Sequence, residues 1–129
     1  MDAADQNIHE LLRAMGLTRV YRGYDYLFYI LRRDQDEPQW LALGNKQVCL
    51  DVARAFNTTP AGVDSALRTV IRTSWQRGPS ALTGRATPDQ RPPGLRPFLL
   101  RMRRLCRDGR WLALLPREPL PRAVRRTSG

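Results

Sequence analysis

The sequence predicts an all-α fold: a compact helical domain of about five or six helices that contains a helix-turn-helix. Three observations carry this expectation. Apolar residues recur at three- and four-residue spacing in five separate segments, the period of a helix with one buried face. Residues that start and stop helices stand at the ends of those segments. The chain, 129 residues and 42% hydrophobic, is long enough to bury one ordinary core without disulfides or metal ions.

The first helix is capped by Asp5, turns Ile8, Leu11, Leu12 and Met15 inward, and stops at Gly16, a residue suited to a left-handed terminus. The second, Tyr24 to Arg33, places Tyr24, Leu27, Phe28 and Leu31 on one face. Tyr26, Tyr29 and Ile30 make it apolar almost all round, which marks a buried central helix. Asp34, Asp36, Glu37 and Pro38 end it. The stretch to Gly44 reads as a turn or a short hairpin, with Trp40 and Leu41 packed down. A third helix runs from Lys46 to Phe56 with Val48, Cys49, Val52, Ala53 and Phe56 in rhythm, closed by Asn57. Thr59 then caps a fourth, Pro60 suits its first position, and Val63, Ala66, Leu67, Val70, Ile71, Ser74 and Trp75 form one face as far as Gly78. Residues 85–97, with four prolines and one glycine, suit a linker or long loop. A last helix follows from Pro97 to Arg107, with Phe98, Leu99, Met102 and Leu105 inward. These elements define one domain, residues 5–108, and a basic Pro/Arg-rich tail, residues 109–129.

The formal net charge is +10 with a pI near 11.1, so the partners to weigh are polyanions: nucleic acid, an anionic membrane surface or an acidic protein. The charge is uneven. Residues 1–84 hold 10 basic and 9 acidic side chains, residues 85–129 hold 12 and 3. No run of about 18 apolar residues occurs and the N-terminus is polar and acidic, so neither a membrane span nor a signal peptide is expected and the location is read as cytoplasmic. Cys49 and Cys106 belong to no CxxC pair, which argues against a zinc site or a disulfide framework. His9 is the one histidine, and nucleophile-elbow, metalloprotease and phosphate-loop motifs are missing. The chain is therefore expected not to be an enzyme, to need no cofactor and to take no small-molecule substrate. Trp111 is left open between packing back onto the domain and anchoring a partner. The arginines of residues 101–110 read as a solvated or DNA-flanking helix, with an RNA-binding or membrane-surface helix as the alternative.

Two helices joined by Asn57, Thr58 and Thr59, the second longer and polar on its outer side, have the sequence form of a helix-turn-helix. With Val63, Ala66, Leu67, Val70 and Ile71 buried, the helical period turns Ala61, Gly62, Asp64, Ser65, Arg68, Thr69 and Arg72 outward. From this set Gly62, Asp64, Ser65, Arg68 and Arg72 are the expected base-reading residues. Small residues near the start permit close approach to a duplex. Arg68 or Arg72 reaches guanine O6 and N7, and Asp64 accepts from a cytosine amine. Lys46, Arg54, Thr58, Thr59 and Arg77 are the expected phosphate contacts, which set position and not sequence. An ordinary amphipathic pair in a helical bundle would show the same spacing.

Residues 46–78, KQVCLDVARAFNTTPAGVDSALRTVIRTSWQRG, resemble the helix-turn-helix of the C-terminal effector domain of the stage-zero sporulation response regulator. Ile8, His9, Glu10, Gly16 and the GYDYL run at 23–27 extend the similarity upstream, with weaker continuation to about residue 108. The resemblance implies an all-helical effector domain that binds double-stranded DNA at a short promoter element, pairs as tandem copies and regulates transcription, with RNA polymerase or a second copy as further partners. Lys46, Thr58, Thr59 and Arg68 match the family pattern. At the positions of Gly62, Asp64 and Ser65, where the family carries basic and acidic side chains, only the acid is kept, one methylene shorter, which implies a changed or relaxed specificity. Six or seven residues precede the first helix, so a receiver domain is not expected, and Asp2, Asp5 and Asp25 are not read as phosphoacceptors. The alternative is a protein-interaction module on the same scaffold that no longer reads bases.

Overall fold

The computed structural model describes residues 2–114, and the part of the expected tail from Leu115 onward lies outside them. The described residues form six α-helices and no strand: α1 (Ala3–Ala14), α2 (Arg22–Asp36), α3 (Asn45–Ala55), α4 (Pro60–Arg77), α5 (Ser80–Thr83) and α6 (Leu95–Asp108). Single 3-10 turns sit at Trp40–Leu43 and Trp111–Leu114. The first replaces the hairpin considered for this stretch. Trp40 and Leu41 insert into the core there, each 3% exposed, and that burial holds the turn down.

Helix α2 is the hub, packing against α1, α3, α4 and α6. Its Tyr24, Tyr26, Leu27, Ile30 and Leu31 are all buried, whereas Phe28 and Tyr29 are half-buried. At its start Gly23 lets α4 come close. A Cβ there would lie 2.5 Å from the Ala66 carbonyl oxygen and 2.7 Å from Val70 Cγ1, so only glycine fits the crossing.

Several boundaries differ from those expected. The cap of α1 is Asp2, whose carboxylate accepts from the Asp5 backbone N–H at 2.9 Å. Asp5 lies inside the first turn and pairs with Arg32 of α2 at 2.9 Å. Helix α2 continues past Arg33 because Asp34 is not a terminator. It is buried, and Arg103 of α6 grips it through Nη2 at 2.6 Å and Nε at 3.1 Å, with Arg107 Nη2 at 3.6 Å. Phe56, expected inward, is 39% exposed because α3 ends one residue before it. Helix α6 begins at Leu95, so Pro97 falls in its first turn, where a missing N–H costs nothing. Trp111 packs back: it is 2% exposed and its indole N–H donates to Asn7 Oδ1 at 3.3 Å.

Candidate nucleic-acid interface

The turn between α3 and α4 is built by local chemistry. Asn57 takes the left-handed conformation, φ 53°, and the Thr58 N–H closes on the Ala53 carbonyl at 2.9 Å, which ends α3. Thr59 is extended, and its Oγ1 accepts from the Gly62 N–H at 3.0 Å while Pro60 occupies the first turn of α4. A Cβ on Gly62 would stand 3.1 Å from Thr59 Oγ1 and 3.5 Å from Thr58 Oγ1, so a side chain at this position would press on the cap.

Val63, Leu67, Val70, Ile71, Ser74 and Trp75 of α4 are buried, and Ala61, Gly62, Ser65, Arg68 and Arg72 are exposed. At about 100° per residue, Arg68, Arg72, Ser65 and Ala61 fall within a strip roughly 60° wide. Arg68 does not stand free in it. Its Nε donates to Asp64 Oδ2 at 2.8 Å, an i,i+4 pair that holds the guanidinium over the strip with both Nη groups left for another partner. Ser65 and Thr69 line the strip beside it, and the Thr69 hydroxyl donates to the Ser65 carbonyl at 3.2 Å.

The expected phosphate contacts do not form one cluster. Arg54, in the last turn of α3, together with Thr58 and Thr59, surrounds the turn. Lys46 lies eight residues back at the opposite end of α3, about 12 Å along its axis. Arg77 is nine residues beyond Arg68, about 14 Å further along α4 and roughly 180° around it. Its Cβ packs where a Cβ on Gly16 would fall, 2.8 Å away, at the turn after α1.

One wall of the site comes from residues 85–94, within the stretch expected as a linker or long loop. Pro92, Pro93 and Gly94 stand beside Arg68 and Arg72 and close a shallow cleft of about 230 Å3 with them. The loop is fastened to α4: the Trp75 indole N–H donates to the Gln90 carbonyl at 2.8 Å, and Arg85 Nη1 donates to the Trp75 carbonyl at 3.0 Å. The sequence signal for this was Trp75 itself, since a buried indole N–H needs an acceptor. The C-terminal arginines also read differently once placed. Arg101 donates to the Leu82 and Ala81 carbonyls, Arg103 and Arg107 neutralise Asp34, and Arg110 pairs with Asp108. Most of that charge serves the fold and not an open basic face.

A short helix ending in a left-handed asparagine, a threonine-capped second helix and an outward strip carrying Arg68 define the molecule as a helix-turn-helix domain. The sequence matches the family described as sporulation initiation factor Spo0A C terminal over residues 8–87. The chain belongs to that family, whose members are DNA-binding regulatory effector domains and not enzymes. No solved structure matches it. No helix among the described residues is long and apolar enough to cross a membrane.

Proposed function

We propose that this domain is a sequence-specific transcriptional regulator that lays the outer strip of α4 in the major groove of double-stranded DNA. The observation that carries the reading is the exposed strip from Ala61 to Arg72, with Arg68 braced by Asp64 and no bulky residue ahead of it to hold the helix off the groove. Arg68 supplies the bidentate contact to a guanine edge, with Asp64 fixing its geometry. Ser65 and Gly62 allow close approach, and Arg72 reaches the next bases or the backbone. The α4 N-terminus and the Thr58 and Thr59 hydroxyls receive one phosphate, and Arg54 receives another. Lys46 and Arg77, distant from the strip, act on flanking phosphate. RNA polymerase, or a second copy on adjacent DNA, is the partner through which binding acts on transcription, in the cytoplasm.

Selection from a random duplex pool tests this reading. An enriched motif is expected, and Arg68→Ala should weaken that motif by about 1–3 kcal/mol and blur one position. Equal loss on every duplex would remove Arg68 from base reading. One observation favours the interaction-module reading: an open groove of about 720 Å3 along α2, where Phe28, Tyr29 and Phe56 lie among charged residues. Selection that returns no motif from protein that still binds a partner through this groove would decide for it.

A further inference from the structure

A second cavity, of about 260 Å3, lies between α4, α6 and the chain from Thr83 to Pro97, with Pro93 common to it and to the cleft beside Arg68 and Arg72. Trp75, Pro93, Phe98 and Met102 give it apolar walls, and Arg101 and Arg104 stand at its edge. Among the described residues no carboxylate lines it. Arg101 is half-buried against Gly84, with its Nε on the Leu82 carbonyl and Nη2 on the Ala81 carbonyl, so Nη1 is left over. Arg104 is exposed and makes no hydrogen bond or ion pair among the described residues. Burial, and then the neighbouring Arg104, disfavour the charge on Arg101. Two neighbouring cations with no acid between them, at the edge of an apolar hole, form an incomplete electrostatic arrangement.

The contrast with the rest of the molecule sharpens this. On the same helix, Arg103 and Arg107 share the buried Asp34. In the α2 groove, Arg32 is paired with Asp36, and Arg33 with Glu37. Among the described residues, this cavity sets two guanidinium groups with no acid beside either against an apolar interior, whereas the cleft at Arg68 and Arg72 is shallow and its Arg68 is held by Asp64. Its volume is close to the lower end of small-molecule pockets, roughly 300–1,000 Å3, which suits a compact ligand better than a peptide segment.

We infer that this cavity binds a small amphiphilic carboxylate, an arylalkanoic or medium-chain acid, with its apolar body against Trp75, Phe98 and Met102 and its carboxylate on Arg104 and Arg101 Nη1. The site does not depend on the DNA reading, and its test uses no DNA. The full chain, labelled with nitrogen-15, is titrated with 3-phenylpropanoate, with octanoate and with 3-phenylpropanol. The readout is the indole N–H signal of Trp75, assigned by its loss in Trp75→Phe. Saturable movement of that signal is expected with the acids, with the alcohol about tenfold weaker. Arg104→Gln, a change at an exposed position, should lower the acid affinity about tenfold and leave the alcohol unchanged. The inference is overturned by equal binding of acid and alcohol, by an Arg104→Gln protein that binds the acid as before, by movement of the Trp40 or Trp111 signals in place of Trp75, or by no saturable movement with either acid. An acidic peptide that moves the Trp75 signal where both acids fail would also overturn it.

Discussion

His9 is enclosed between α1 and α2, 6% exposed and stacked on Phe28 with ring centroids 4.4 Å apart. Arg19 Nη2 lies 3.3 Å from Nε2, and an arginine can only donate, so Nε2 accepts and the ring proton sits on Nδ1, facing the Tyr24 hydroxyl at 2.8 Å. Burial first, then Arg19 and Arg13, push its pKa below the usual 6.5. The unfolded chain therefore takes up a proton that the folded chain refuses as pH falls through 6.5. Stability that is complete above that value is lost toward the lower folded pKa, with a slope of at most about 1.4 kcal/mol per pH unit. Urea midpoints measured from pH 7.5 to pH 5 should fall, and His9→Gln should flatten the dependence. Carboxylates titrate lower, so a slope unchanged in the variant would place the effect elsewhere. Gly23 sits where α2 crosses α4. Alanine adds about 1 kcal/mol of helix propensity but drives its methyl into a backbone carbonyl of α4, where neither helix yields cheaply. The expected outcome of Gly23→Ala is a net loss of roughly 2 kcal/mol in denaturant unfolding, and a neutral result would mean that α2 and α4 separate easily.

At the scale of elements, α4 was legible because both of its ends carry local chemistry and its 3.6 period runs unbroken between them. That same period gave the outward strip of the candidate site. The start of α1 was not legible, since Asp2 and Asp5 are both competent caps and only tertiary placement, with Asp5 taken by Arg32, decides between them. Helix α5 has four residues, too few for any period to show. Asp34 was misread because a carboxylate after an apolar run looks like a stop signal, and its partner Arg103 is 69 residues away in sequence. The Asp64–Arg68 pair has a local i,i+4 signature, yet each residue was assigned its own base contact, so their coupling was missed. The Asp34–Arg103 bond is what clamps α6 to α2. Removing Arg103 leaves the buried Asp34 with only the longer Arg107 contact, so Arg103→Met should cost about 3 kcal/mol, the lower end for a broken buried pair. The double change Asp34→Leu with Arg103→Met should recover much of that loss in the same unfolding measurement. Failure to recover would mean that the loss comes from the other contacts of Arg103, including its bond to the Pro38 carbonyl, and not from an unpaired charge.

For the whole molecule, the sum of charges misleads unless it is divided by location. The net +10 comes almost entirely from residues 85–129, and within α6 four of the arginines are already committed to carbonyls or acids of the fold. What remains for phosphate near the strip is Arg54 and Arg72, with Lys46 and Arg77 at a distance. The four arginines at 117, 122, 125 and 126 form a separate reserve. Each phosphate neutralised on duplex DNA adds about −0.9 to the slope of log K against log salt. The two groups should therefore separate in one titration series. Replacing Arg117, Arg122, Arg125 and Arg126 by glutamine should reduce the slope by about 3–4 on specific and random duplexes alike, with the preferred sequence unchanged. Arg68→Ala should do the reverse, lowering the preference while changing the slope by no more than about 1. If the glutamine protein keeps its slope, the tail carries no phosphate contact and the affinity must rise from the helix-turn-helix alone. If Arg68→Ala lowers the slope without touching the preference, its guanidinium lies on the backbone, and base reading passes to Arg72 and Ser65.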